Sequence, residues 1–113
     1  MLRLVDTSEV ETGLVDRFLS LVRDLAVPVM TDAGAELVSC AAAPPGLGEP
    51  VCVEVVWEVS DFETWNGIRR ALVLDPRWYE YGSAASALRS GGRRRFVVPV
   101  PWSPRPAPAP PAG

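Results

Sequence analysis

The segment VCVEVVWEV, from Val51 to Val59, constrains the fold more than any other part of this sequence. One phase of the segment holds only apolar residues, namely Val51, Val53, Val55, Trp57 and Val59. The other phase holds the mixed set Cys52, Glu54, Val56 and Glu58. Alternation of this kind, rich in β-branched residues, is typical of a strand with one buried face. Such a strand needs neighbouring strands on its edges and a second layer over its apolar face.

An amphipathic stretch near the start of the chain predicts the first part of that layer. Ser8 can cap a helix start, and Glu11 can reach back to the Ser8 amide. Apolar residues at steps of three and four then predict a helix from about Glu9 to Asp32. We expect this helix to bend near Pro28 and to end at Gly34.

Turn formers and alternation define the other elements. Stacked Pro and Gly residues predict a loop over 44–50, and Asp75-Pro76 predicts a break between two helices. The remaining predicted elements are strands over 1–5, 35–42, 51–59 and 93–100, and a helix pair that begins at Ser60 or Asp61 and ends at Gly91-Gly92. The order predicts an α+β fold in which helices cover one face of a four-stranded antiparallel sheet. The first strand should lie between the third and the fourth.

The second face of such a sheet has no cover of its own, because 113 residues leave nothing further to pack on it. A second copy of the chain is the economical cover, so we expect a symmetric homodimer. After Trp102 the chain is rich in Pro, which lacks an amide donor. We therefore expect 103–113 to be a disordered or extended tail, and truncation after Ser103 to leave the melting temperature within a few degrees.

Composition excludes several classes of function. The chain has no His, all 11 basic residues are Arg, and the formal net charge is −3. A single chain therefore lacks His metal ligands, imidazole acid–base chemistry and Schiff-base lysines. We expect no metal, haem, flavin or other cofactor, no nucleic-acid partner and no membrane segment, and a cytoplasmic protein of a GC-rich, actinobacterial source. Cys40 and Cys52 are expected to be small buried residues.

Two stretches resemble the NIPSNAP-like family. The first is VPVMTDAGAELV over 27–38, where a Pro-bearing helix meets a Gly-Ala turn and a strand. The second combines EVVWEV over 54–59, Asp61-Phe62, and ALVLDPRW over 71–78 with its Asp-Pro-x-Trp turn. The resemblance covers about residues 1–102. It implies a ferredoxin-like βαββαβ domain of the dimeric α/β-barrel superfamily, followed by the tail at 103–113.

This superfamily implies a range of activities. Its members include cofactor-free quinone-forming monooxygenases, polyketide cyclases, muconolactone isomerase-type enzymes and haem enzymes. The haem enzymes usually supply a His ligand, which this chain lacks. Because a fold alone does not name a reaction, the residues themselves must be weighed.

Charged and aromatic side chains give the candidate site. Glu54 and Glu58 share a strand face with Arg3 and Arg95, either as ion pairs that fix the register of a dimer or with one Glu as a general base. The aromatic residues either pack the core or line a cavity for a flat ligand, which a Tyr hydroxyl would orient. The catalytic candidates are Glu58, Tyr79 and Glu54, and the substrate-binding candidates are Trp57, Trp65, Trp78, Tyr81, Arg95 and Arg3.

Three functions remain open from the sequence. The first is a small cofactor-independent enzyme, of oxygenase, cyclase or isomerase type, acting on an apolar or polycyclic secondary metabolite in a bacterial biosynthetic pathway. The second is a non-catalytic small-molecule-binding or accessory dimer, and the third is a structural dimer module. A cavity of about 300 Å³ or more beside Trp65 and Tyr79 would favour the first two.

Overall fold

The computed structural model describes residues 1–43 and 50–102. Its sheet has four antiparallel strands in the order β2-β3-β1-β4. The strands are β1 (Leu2–Val10), β2 (Glu36–Ala42), β3 (Val51–Val59) and β4 (Arg89–Val97). This confirms the α+β, ferredoxin-like arrangement, with the first strand between the third and the fourth. The loop predicted over 44–50 lies outside the described residues except for Pro50, and the tail predicted over 103–113 lies wholly outside them.

Helices form the second layer of the domain. They are α1 (Val15–Leu21), a π-helical segment (Val22–Ala26), α2 (Val27–Ala33), α3 (Phe62–Val73) and α4 (Pro76–Leu88), with a short 3₁₀ turn over Thr12–Leu14. Asp61 caps α3 as predicted, because its Oδ1 accepts a hydrogen bond from the Thr64 amide at 2.7 Å. The helices pack on the apolar phase of β3, and Leu4, Phe18, Met30, Val53 and Ile68 are among the fully buried residues. No helix in the described part of the chain combines the length and the apolar character needed to cross a membrane.

The first strand is longer than the predicted segment, and the prediction of a helix start at Ser8 was wrong. Ser8 pairs with Val53 on one side and with Gly92 on the other, and it is buried. The sequence contains the local capping motif, but no side chain caps the helix start, because a central strand provides hydrogen-bond partners along both edges. That non-local pairing prevails through Val10.

The irregularity predicted at Pro28 occurs one turn earlier in the helix. Proline has no amide to donate, so the usual bond to the carbonyl four residues back is missing. Ahead of it, the Val27 amide donates to the Val22 carbonyl, five residues back, which is the π-helical spacing. Gly34 ends α2 with φ +113°, as its predicted left-handed cap requires.

The last strand begins earlier than predicted and also ends earlier. Gly91 and Gly92 do not terminate a helix, because they pair with Glu9 and Ser8 inside β4. At this point β4 has one residue more than β1, and a bulge between Glu9 and Val10 accommodates it. The strand ends at Val97, two residues before Pro99, which could not continue a ladder.

Candidate functional site

A cavity of about 510 Å³ lies between the covered face of the sheet and the helices. Its volume falls within the usual range for small-molecule sites. The apolar lining comes from both layers and consists of Phe18, Val22, Ala26, Met30, Val55, Trp57 and Trp78. The polar lining includes Asp6, Ser8, Tyr81, Arg89 and Arg94, and Thr7 and Arg93 border the cavity as well. The site therefore combines a flat, aromatic-rich surface with a small set of hydrogen-bonding groups.

The π-helical segment forms part of the cavity wall. Val22 and Ala26, its first and last residues, are both buried and both line the cavity. A π-helical turn widens the helix locally and is often found at functional sites. In this chain the widening lies directly against the cavity.

Asp6 connects the two sides of the cavity. Its carboxylate accepts hydrogen bonds from Nε and Nη2 of Arg94 at 2.6 and 2.9 Å. The indole Nε1 of Trp57 donates to Oδ2 of Asp6 at 3.3 Å. The guanidinium of Arg94 also lies 5.0 Å from the ring centroid of Trp65. Register explains the cluster, because β1 places Asp6 directly opposite Arg94 on the covered face.

Tyr81 supplies the phenol of the cavity. Its ring centroid lies 5.6 Å from that of Trp78, so the two rings form an aromatic pair. Burial raises the pKa of the Tyr81 hydroxyl, and the carboxylate of Asp6 adds to this while Arg89 and Arg94 oppose it. The hydroxyl therefore stays neutral at physiological pH and can donate a hydrogen bond to a ligand oxygen.

Three of the sequence-predicted binding residues meet in this cavity: Trp57, Trp78 and Tyr81. Trp65 is buried beneath Arg94 and lines an adjoining cleft of about 460 Å³ instead. That cleft shares Trp78 and Arg94 with the cavity. Both spaces exceed the expected 300 Å³, and the cleft lies beside Trp65 as expected, but Tyr79 lines neither of them.

The predicted carboxylates and their arginine partners lie on the opposite, open face of the sheet. Arg3 pairs with Glu58 across the ladder, and their side chains form a salt bridge at 3.3 Å. This confirms the predicted ion pair. Glu54 and Arg95 share that face, because the mixed phase of β3 is continuous with it. None of the four lines the cavity.

Tyr79 is also remote from the cavity. It lies two residues before Tyr81 on α4, which turns it to the far side of the helix, and it is 60% exposed. The prediction that both cysteines are buried was wrong as well, because Cys40 and Cys52 are exposed. Cys40 is on the edge strand β2, whose residues are all exposed, and Cys52 is on the open face. Partial burial still raises the pKa of the Cys40 thiol.

Sequence reasoning missed the polar half of the cavity. Asp6 and Ser8 continue the covered phase of Leu2 and Leu4, but a first strand ended at Val5 hides that pattern. Arg94 shares the phase of Phe96 in β4, opposite Asp6 and Leu4. One signal in the sequence could have found them. Asp6 and Arg94 are charged residues in the otherwise apolar phases of two strands, and the predicted topology already makes those strands neighbours.

Comparisons with known proteins agree on the fold. The NIPSNAP family model matches residues 7–104. An uncharacterized NIPSNAP domain protein from Burkholderia xenovorans is 24% identical, with a TM-score of 0.78 over 93% of this chain and 100% of that one. A NIPSNAP family protein of unknown function from Agrobacterium tumefaciens is 21% identical, with a TM-score of 0.77 over 92% of each chain. No curated protein matches the sequence.

A protein outside the NIPSNAP family has a similar fold. A structure of an antibiotic biosynthesis monooxygenase is 15% identical, with a TM-score of 0.62 over 89% of this chain and 100% of that one. Identity at this level shows a shared fold and no more.

Proposed function

The chain belongs to the NIPSNAP family, and on that premise we propose that it is a small enzyme that acts, without a cofactor, on a flat and largely apolar metabolite. The observation that carries the proposal is the cavity of about 510 Å³ with an aromatic wall and a neutral phenol. Concave, mostly apolar sites with a few polar groups are the usual form of small-molecule sites. We place the enzyme in a bacterial biosynthetic pathway and in the cytoplasm.

Tyr81 is the residue we assign to the chemistry. Its hydroxyl donates a hydrogen bond to a carbonyl or enol oxygen of the bound molecule and stabilises the negative charge that develops there. Trp57 and Trp78 form flat surfaces against which a ring system can stack. Asp6 accepts hydrogen bonds from Trp57 and Arg94 and holds both side chains in place. The walls of the cavity are therefore already oriented before the substrate binds.

Stabilisation of an enolate suits the three reaction types expected from the sequence. The anion forms when the acidic O–H proton of a bound phenol or enol passes to water. Return of a proton at carbon then gives isomerisation, attack on a carbonyl of the same molecule gives cyclisation, and reaction with molecular oxygen as the oxidant gives oxygenation. The fold shared with an antibiotic biosynthesis monooxygenase makes oxygen consumption the first activity to measure.

A specific observation supports the alternative, a non-catalytic binding protein. Both oxygens of Asp6 accept hydrogen bonds from Arg94, and Oδ2 also accepts one from Trp57. Donors of the chain itself thus occupy both oxygens, so the cavity can bind a ligand without Asp6 removing a proton from it.

Paired tyrosine variants separate these two functions. A panel of polycyclic phenols and ketones is tested for binding by tryptophan fluorescence, and for turnover by oxygen uptake and mass spectrometry. We expect Tyr81→Phe to lower kcat by about 10²-fold or more with little change in KM, as for loss of one oxyanion donor. Tyr79→Phe, on the exposed side of the same helix, is the matched control and should leave both parameters unchanged. Tight binding without turnover in the unmodified protein would favour the binding function.

We further propose that the protein is a homodimer formed through the open face of the sheet. Cys52, Glu54, Val56 and Glu58 lie on this face, and no helix of the described chain packs on it.

A further inference from the structure

We infer that the metabolite carries an ionised oxygen group, such as a carboxylate, and that Arg89 binds this group inside the cavity. The inference rests on the proposed function and narrows its substrate to a flat acid. It depends on three features of the cavity: its charge balance, the position of Arg89 over Gly92, and the neighbouring phenol.

The cavity has one guanidinium more than its carboxylate can neutralise. Asp6 and Arg94 pair through two short hydrogen bonds and cancel each other's charge. Arg89 also lines the cavity, and it forms no salt bridge with any residue in 1–43 or 50–102. Arg93 also borders the cavity, but its position opposite Thr7 puts its side chain on the open face of the sheet. An anionic group on the ligand is therefore the charge that this site lacks.

Gly92 gives Arg89 its position on the cavity side of the sheet. The register places Gly92 opposite Ser8, which lines the cavity. The side chain of Arg89 lies over Gly92, so that a Cβ built there would be 3.4 Å from Nη1 and 3.5 Å from Cζ. An Ala methyl would fit at ordinary contact distance, whereas a larger side chain would occupy the space of the guanidinium.

The guanidinium of Arg89 and the hydroxyl of Tyr81 can together bind one acidic oxygen group of a ligand. A guanidinium binds a carboxylate through two parallel hydrogen bonds, which gives direction as well as charge. Tyr81 and Arg89 line the same cavity, and the positive charge of Arg89 acts to lower the pKa of the Tyr81 hydroxyl against the larger effect of burial. The neutral phenol can therefore donate to an oxygen of the ligand whose charge Arg89 binds.

Two matched compounds test the inference on the full chain. The first is 1-hydroxy-2-naphthoate, a flat acid, and the second is 1-naphthol, which keeps the same rings and hydroxyl and lacks only the carboxylate. Binding is measured by calorimetry at neutral pH and low salt. We expect the acid to bind about tenfold or more tightly than the phenol. We expect Arg89→Gln to lower the affinity for the acid by about 10- to 100-fold and to leave the affinity for the phenol unchanged. Arg95→Gln, on the open face of the same strand, is the matched control and should change neither affinity.

The outcomes distinguish this inference from the proposed function. If the phenol binds as tightly as the acid, or if Arg89→Gln weakens both equally, the inference is overturned and the apolar binding site remains. If neither compound binds, both proposals are overturned. If the acid binds as expected but neither the acid nor any phenol or ketone of the panel is turned over, catalysis is contradicted while recognition of the acid stands.

Gly92 provides a second, independent test. Gly92→Ala should keep the affinity for the acid, and Gly92→Val should reduce it by displacing the guanidinium. Because Val also takes up space, the variant is combined with Arg89→Gln. If Val acts through Arg89, the double variant binds the acid no more weakly than Arg89→Gln alone. Additive losses would show that Gly92 only provides room and would contradict its role in placing Arg89. Circular dichroism confirms that each variant is folded.

Discussion

Asp6 is the residue on which the cavity's polar geometry depends. It lies in β1, an inner strand of the sheet, and receives hydrogen bonds from the strands on both sides, from Trp57 in β3 and from Arg94 in β4. The side chains of Asp6 and Arg94 are only 26% and 31% exposed, so water replaces these contacts poorly. Removing the carboxylate would leave an indole donor and a guanidinium without their acceptor.

We therefore expect Asp6→Ala to lower the free energy of unfolding by about 1–3 kcal/mol, the range for loss of a hydrogen bond to a charged group. Urea denaturation of the purified variants measures the change. Asp24→Ala is the matched control, because Asp24 also pairs with an arginine, at 2.8 Å from Arg23, but at an exposed position. An equal loss in both variants would contradict the special role of Asp6.

Two helix-capping carboxylates make stability depend on acid pH. The Thr64 amide lowers the pKa of Asp61, and hydrogen bonds from Arg77 lower that of Asp75. Since both pKa values are depressed in the folded state, their stabilisation is present above the unfolded carboxyl value of about 4 and is lost as pH falls through the folded values. Asp61→Asn keeps the cap without the titration. We expect it to match the unmodified protein at pH 7 and to lose less melting temperature between about pH 5 and pH 2. Identical pH profiles would contradict this expectation.

At the level of the elements, glycine conformation gives opposite predictions for two helices. Gly34 ends α2 at φ +113°, and a Cβ there would meet Ile68 only at 3.9 Å, an ordinary contact distance, so a methyl group strains the backbone without a clash. Gly67 lies inside α3 with nothing within 4 Å of its would-be Cβ. We expect Gly34→Ala to destabilise the protein by about 1 kcal/mol or more, and Gly67→Ala to stabilise it by about 0.5–1 kcal/mol. Thermal melts of the two variants measure both changes, and a shift of the same sign in both would contradict the argument.

The elements also show how far the sequence predicts this fold. The alternation of β3 and the caps at Gly34 and Asp61 are local signals, and the structure confirms each of them. The end of β1 and the start of β4 are decided by pairing between segments more than 80 residues apart, as in the Glu9 carbonyl that accepts from Ser90. Local motifs cannot report such pairing. The same error hid Asp6 and Ser8, so the candidate site was predicted only in its aromatic half.

For the whole molecule, the open face of the sheet determines how two copies would meet. The β3 side of this face is acidic, with Glu54 and Glu58, and the β4 side is basic, with Arg93 and Arg95. Val5 and Val56 pair between these two sides and are largely buried. A two-fold axis through the face would lay the acidic side of one chain on the basic side of its partner. The face is therefore electrostatically complementary to itself.

This complementarity leads to a charge-swap prediction for the proposed homodimer. We expect light scattering to give twice the mass of one chain, and Glu54→Arg to shift the protein towards monomer by placing like charges together. Since Glu54 is exposed within one chain, the variant should still fold. Adding Arg95→Glu restores opposite signs and should restore the dimer. Glu80→Arg, an exposed change of the same charge on α4, is the control and should leave the mass unchanged. A monomeric unmodified protein, or a double variant no more dimeric than Glu54→Arg, would show that the open face does not join two copies in this way.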